Sequence, residues 1–243
     1  MKREIFMIEA NKKIAKDVYE MTLFGDTSEI SAPGQFVNIL IDGLFLRRPI
    51  SICDCDGESL KLIYKNVGEG TNKLTQYGHG KYLDLLLPLG NGYDISKGEN
   101  SVVIGGGVGV PPMYMLCKSL LRDGKTPVVI LGFNTKADVF YENEFKKLGV
   151  KTIVATADGS YGKKGFVTDA LEDVKAYSYF YACGPEPMLK AVCDKTKTSG
   201  QLSFEERMGC GFGACMGCSC KTKYGAKRIC KDGPVLEKEE IIW

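Results

Sequence analysis

Val102-Val103-Ile104-Gly105-Gly106-Gly107-Val108-Gly109-Val110-Pro111-Pro112 is the stretch on which the fold turns. A β-branched run gives way to glycines, and the glycines give way to prolines that open a helical pattern over residues 111–122. Glycines at a strand-to-helix turn permit a tight bend and a close backbone approach to a pyrophosphate. A helix-opening proline presets the first turn. The G-x-G-x-x-G order fails at Val110, so the stretch predicts a strand, a nucleotide loop and a helix, but not the standard dinucleotide fingerprint.

Downstream the same rhythm repeats. Strands are predicted at 128–131, 152–156 and 179–182, and helices at 139–148, 167–174 and 186–195. Tyr141, Phe145 and Leu148 fall on one helical face. Strict alternation of strand and helix predicts a parallel sheet with helices on both faces over residues 99–200. Such sheets bind ligands beyond the carboxyl ends of their strands. Ala182-Cys183-Gly184-Pro185-Glu186-Pro187-Met188 also ends a strand and starts a helix, so it is expected at the same edge, with Cys183 near a reacting nicotinamide.

Upstream, residues 1–98 read as β. Apolar runs at 19–24, 36–41, 49–53, 60–64 and 82–87 are separated by turn pairs such as Pro33-Gly34 and Asn91-Gly92, a spacing that predicts a small antiparallel barrel. One helical piece, 71–77, interrupts it. Leu46-Arg47-Arg48-Pro49-Ile50-Ser51 offers a guanidinium for a phosphate oxygen pair, a preset backbone and a hydroxyl within reach of a flavin. Gly68-Glu69-Gly70-Thr71 opens the helix, where free N–H groups suit a pyrophosphate. Two phosphate-directed features in one barrel point to FAD. Either alone would be an ordinary strand end or helix start.

Residues 201–243 are rich in glycine and cysteine and too short for a conventional core. Five of the 10 cysteines lie between positions 210 and 230. Cys210-x4-Cys215-x2-Cys218, with Cys230 on a return segment, is the plant-type spacing for a [2Fe–2S] cluster. A structural zinc site favours paired CxxC knuckles, and only one CxxC is used here. Cys220 competes for the fourth place, since strand alternation does not exclude it. A ligand from a separate loop closes the far side better, so Cys230 is preferred and Cys220 is expected to pack as a small apolar group.

Composition narrows the rest. Lys+Arg is 32 against Asp+Glu 30, a formal charge of +2, without the basic excess of a nucleic-acid binder. A single histidine, His79, supplies neither a histidine-rich metal site nor a Ser-His-Asp relay. The first residues lack a signal-peptide core, and the most apolar window, 102–116, is glycine-broken and too short to span a bilayer. These features predict a cytoplasmic protein with reduced thiols and no membrane partner.

In this order the motifs resemble the ferredoxin–NADP reductase superfamily, whose flavin motif is Arg-x-Tyr-Ser/Thr; here Ile50 replaces the tyrosine. Arg-Pro-Ile-Ser, the segment Glu206 to Cys218, and Cys230-x-Asp232-Gly233-Pro234-Val235 are similar to one branch, the PyrK family of electron-transfer subunits of type 1B dihydroorotate dehydrogenase. The resemblance implies a flavin-binding β-barrel at 1–98, an NAD-binding α/β domain at 99–200 and a cluster module at 201–243. It implies that Arg48, Pro49, Ile50, Ser51, Ile63, Tyr64, Lys65, Gly70 and Thr71 hold FAD. It implies that Gly106, Gly107, Gly109, Pro112, Cys183, Gly184, Pro185 and Met188 receive NAD, and that Cys210, Cys215, Cys218 and Cys230 hold the cluster. No acid–base catalytic residue is required. The implied partner is an FMN-containing dihydroorotate dehydrogenase catalytic subunit (PyrD type B), in a heterotetramer of two of each, serving pyrimidine biosynthesis. Rival readings are the small subunit of a ferredoxin:NADP oxidoreductase or sulfide dehydrogenase, a self-sufficient flavin reductase, and a zinc-stabilised binding module without redox function.

Overall fold

The computed structural model describes all 243 residues. β1 (Lys2–Ala15), β2 (Val18–Phe24), β3 (Phe36–Ile39), β4 (Arg48–Asp56), β5 (Ser59–Lys65) and β6 (Tyr82–Leu89) close an antiparallel barrel in the order β1-β2-β5-β4-β3-β6, with helix α1 (Glu69–Thr75) between β5 and β6. Alternation drives the closure. Leu60, Leu62 and Tyr64 on β5, and Leu83, Leu85 and Leu87 on β6, point inward against Phe6, Ile8, Met21 and Ile52. The expected strands are all present. β1 is an addition to them: its charged residues face outward, and only Phe6 and Ile8 are fully buried.

The second unit contains β7 (Ser101–Gly106), α2 (Val110–Arg122), β8 (Val128–Phe133), α3 (Glu142–Lys147), β9 (Lys151–Thr156), β10 (Lys163–Lys164), α4 (Val167–Leu171), β11 (Tyr179–Cys183), α5 (Glu186–Lys195) and β12 (Gly200–Ser203). After it come the hairpin β13 (Ser219–Thr222)–β14 (Gly225–Arg228) and β15 (Val235–Glu237). The 7-stranded sheet runs β10-β9-β8-β7-β11-β12-β15, parallel except for β15 against β12. The chain beyond residue 200 therefore returns to the sheet, and Cys218, Ile229, Cys230, Leu236 and Ile241 share a core with Val102, Ile104 and Phe180.

Two predicted helices are shorter than expected. The helix foreseen at 139–148 is replaced by a short 3-10 turn at Lys136–Asp138 and by α3, because Tyr141 takes a left-handed conformation (φ 66) just before α3. Tyr141 and Phe145 still face the core, so the apolar face is as expected. The helix foreseen at 167–174 ends at Leu171, and Val174 is buried from the turn beyond.

The barrel and sheet share one core. Val18, Cys53 and Ile63 pack with Val103, Val110 and Met113, and Lys118 on α2 bonds both Asp54 oxygens on β4 at 2.7 Å. No helix is long and apolar enough to cross a membrane.

Candidate functional site: a cleft between barrel and sheet, and a cysteine loop

A cleft of about 540 Å³ opens where the carboxyl ends of β7, β8 and β11 meet the barrel. Gly106, Gly107 and Gly109 line one wall, Gly184, Pro185 and Met188 another, and Val18 and Lys65 contribute from the barrel. The glycines are required by contact. A Cβ on Gly106 would lie 2.3 Å from Met188 Sδ, and one on Gly109 would lie 2.3 Å from the Cys183 carbonyl oxygen. Gly107 has φ +53 and faces open space, so a backbone surface is left bare toward the cleft. This is a cradle that fits a dinucleotide.

Cys183 contributes differently from what its position suggested. Its thiol is buried in the shared core, and burial pushes it well above the usual thiol range. Its backbone shapes the Gly109 turn while its sulfur stays out of the cleft. Pro112 is buried at the start of α2 and acts on the helix rather than on the cleft. Asn134, Phe140, Phe166 and Glu205 also line the cleft, and no sequence motif marked them. Phe166 is 68% exposed, an aromatic face free to stack on a base. The only sequence signal for it was Gly165 at the same turn.

On the barrel, the two adjacent arginines separate clearly. Arg47 Nη2 donates to Asp84 at 2.8 Å, and its Nη1 donates to the carbonyls of Asp84 and Asn38. Desolvation opposes the Asp84 charge, but Arg3 and Arg47 outweigh it and hold the carboxyl below its usual range. Arg48 donates only to the backbone carbonyls of Leu46 and Arg47. Its guanidinium lies so close to Gly70 that a Cβ there would sit 2.5 Å from Nε. A half-buried guanidinium without a carboxylate partner, beside a glycine at a helix start, fits a phosphate group. Thr71 Oγ1 accepts from the amides of Val67 and Gly68, so that hydroxyl is committed to the turn. Ile63 faces the shared core and Tyr64 the barrel interior. The Tyr64 hydroxyl donates to Asn11 Oδ1 at 3.0 Å, and burial pushes it up to about 12. Along this strand only Lys65 lines the cleft.

The cysteine loop arranges its sulfurs in two pairs. Cys210 N–H donates to Cys215 Sγ at 3.5 Å and Cys215 N–H to Cys210 Sγ at 3.4 Å, while Cys230 N–H donates to Cys218 Sγ at 3.4 Å. Gly211 (φ +79) and Gly213 (φ +92) let the backbone curl around these sulfurs. Burial works against ionisation of Cys210, but amides of Cys215, Phe212 and Ala214 outweigh it and lower its pKa to about 6. Burial, followed by the Cys218 thiol, pushes Cys230 up to about 12. Two thiol pairs with amides aimed at sulfur are a donor set suited to two irons bridged by sulfide. Cys220 instead lines a separate hollow with Leu236, Ile241 and Trp243.

Residues 205–242 match the family described as the iron–sulfur cluster binding domain of dihydroorotate dehydrogenase B, and residues 103–194 match the oxidoreductase NAD-binding domain. The chain is 47% identical to the dihydroorotate dehydrogenase B (NAD(+)) electron transfer subunit of Fusobacterium nucleatum subsp. nucleatum, covering 99% of both chains. It is 43% identical to the subunit of that name from a Geobacillus species, covering 100% of this chain and 99% of the relative. The chain belongs to this electron-transfer subunit family. Among solved structures, a chain of an NADH-dependent reduced ferredoxin–NADP oxidoreductase is similar at TM-score 0.90 and 30% identity, covering 98% of this chain and 90% of that one. Amycolatopsis cytochrome P450 reductase GcoB shares the fold at TM-score 0.70, covering 80% of this chain and 65% of that one. Membership of the electron-transfer subunit family sets the zinc-stabilised reading aside. It also favours the dihydroorotate branch over the ferredoxin-linked one, whose structure is similar in shape but less so in sequence.

Proposed function

We propose that this chain carries electrons between NAD and a separate FMN-containing dihydroorotate dehydrogenase subunit, as an oxidoreductase subunit holding FAD and a [2Fe–2S] cluster. The observation that carries the proposal is the cleft itself: Lys65 and Val18 of the barrel and the Gly106–Gly109 loop of the sheet border one space. A nicotinamide in the sheet cradle would therefore face the barrel side assigned to the flavin. Arg48 and Gly70 would hold the FAD pyrophosphate, with Pro49 to Ser51 and the Ile63–Lys65 backbone along the flavin. Gly106, Gly107, Gly109, Gly184, Pro185 and Met188 would receive NAD, and Phe166 would stack on its base. Cys210, Cys215, Cys218 and Cys230 would ligate the cluster.

When bound, FAD takes part in hydride exchange with nicotinamide and one-electron exchange with the cluster; the chain supplies binding, orientation and exclusion of water. None of the residues assigned to FAD, NAD or the cluster is given a proton-transfer role, and the fold holds no (β/α)8 barrel. A barrel able to bind FMN and dihydroorotate needs about 250 residues of its own. Cys215 is exposed, and Phe212 and Met216 beside it are 42% and 55% exposed, apolar side chains suited to the core of a protein contact. We therefore place the FMN subunit on this loop, in an assembly of two of each chain in the cytoplasm.

The test is reconstitution. The isolated chain is expected to oxidise NADH with an artificial acceptor and to leave dihydroorotate untouched. Addition of the FMN subunit is expected to give NAD-linked dihydroorotate turnover. Turnover of dihydroorotate by the chain alone would contradict the division of labour.

A further inference from the structure

We propose that Asn38 is a positioning residue that sets the geometry of the Cys210 edge of the cluster from within the flavin barrel; this rests on the iron–sulfur reading above. Asn38 lies on β3, where Val37 and Ile39 point into the barrel core. Alternation turns Asn38 to the opposite face, toward the cysteine loop. There it is 1% exposed, and its Nδ2 donates to the Cys210 carbonyl at 3.2 Å. The contact is close because the next residue is Gly211: a Cβ at that position would stand 2.3 Å from Asn38 Nδ2. In the barrel sheet Asn38 is the register partner of Pro49, in the segment assigned to the flavin, and its own carbonyl accepts from Arg47.

The other end of the carboxamide argues that this contact is the reason for the residue. Asn38 Oδ1 is buried and has no hydrogen-bond partner. An unmade bond at a buried oxygen is unfavourable, and an apolar side chain would avoid it. Barrel packing therefore does not account for an asparagine here, whereas its amide end does. The residue it holds is part of the sulfur environment: Cys210 N–H donates to Cys215 Sγ, and the amides of Ala214 and Cys215 donate to Cys210 Sγ at 3.2 and 3.4 Å. Hydrogen bonds to sulfur set a cluster's reduction potential, because they stabilise the added negative charge. Asn38 thus fixes the loop from which these bonds spring.

The experiment is a redox titration of the anaerobically purified holoprotein, followed by EPR of the reduced cluster. Asn38→Leu keeps the branched outline, with more bulk, and removes the donor; Asn38→Asp keeps the shape and sets an acceptor against the Cys210 carbonyl. Both are expected to lower the midpoint potential and shift the g-values, Asn38→Asp more strongly, with the FAD-to-chain ratio unchanged. Gly211→Ala provides an independent route, since its Cβ displaces the Asn38 amide without changing any barrel residue. Gly213→Ala imposes similar backbone strain in the same loop away from Asn38, and a larger shift for Gly211→Ala than for Gly213→Ala is expected. Wild-type g-values and potential in the Asn38 variants would overturn the proposal. Should those variants fail to fold, a Gly211→Ala shift no larger than that of Gly213→Ala would overturn it. A wild-type protein without iron would overturn the cluster reading instead.

Discussion

Arg47 and Arg48 are neighbours in sequence, and the structure gives them different work. Arg48→Ala is expected to weaken FAD binding by on the order of 1.5–3 kcal/mol, roughly 10- to 150-fold, through loss of a charge-assisted contact. Arg47→Ala is expected to lower thermal stability more than FAD affinity, because its partners are Asp84 and backbone carbonyls. Flavin content after gel filtration and a melting curve separate the two. At the cysteines, Cys230→Ser is expected to abolish or destabilise the cluster and Cys220→Ser to leave it largely intact, read by iron and sulfide content. The reason is pairing: Cys230 is joined to Cys218, while Cys220 faces the hollow near Trp243. Motif spacing singled these cysteines out, since Cys210-x4-Cys215-x2-Cys218 with a distant fourth cysteine follows the plant-type cluster pattern. Asn38 was not legible, because it meets Cys210 across 172 positions and nothing in its own neighbourhood marks it. Cys183 was legible as a loop residue, but which way its sulfur points depends on the core behind it.

At the scale of elements, ion pairs and glycine contacts tie strands together. Asp84 on β6 bonds Arg3 on β1 and Arg47 ahead of β4. Asp84→Asn is expected to cost about 1–3 kcal/mol at neutral pH. The folded carboxyl titrates below its unfolded value of about 4, so its contribution is complete above that value and is lost as pH falls through the lowered one. Urea midpoints of parent and variant should therefore converge in acid, and a constant gap would rule out the charge as the cause. Gly109→Ala is expected to reduce both stability and NADH affinity, since the added carbon would press into the Cys183–Gly184 backbone, which cannot give way as a side chain end can. The sheet elements were readable because buried parallel strands are continuous apolar runs between glycine-rich turns. β1 was harder, because its outward face alternates charges that resemble a solvated segment. The early end of α4 and the late start of α3 reflect local backbone geometry, such as the left-handed Tyr141, that periodicity does not encode.

For the whole molecule, the arrangement of three cofactor sites matters more than any one of them. The barrel and sheet share a core, so the cleft and the barrel strands are fixed relative to each other. The cysteine segment is anchored by Asn38 to the barrel, by Asn91 to the Asp232–Val235 backbone, and by the return of β15 to the sheet edge. Sequence order suggested three modules, whereas the residues beyond 200 share a sheet and a core with β7 and β11, and the barrel joins through Val18, Ile63 and Val110. The proposed electron path predicts that NADH reduces the cluster in the isolated chain without a second protein. The direct measurement is an anaerobic titration of the purified chain with NADH, followed by flavin absorbance and low-temperature EPR. Flavin bleaching is expected together with the signal of a reduced [2Fe–2S] cluster, with about two irons and two sulfides per chain. Bleaching without that signal, or stoichiometric zinc in place of iron, would contradict it.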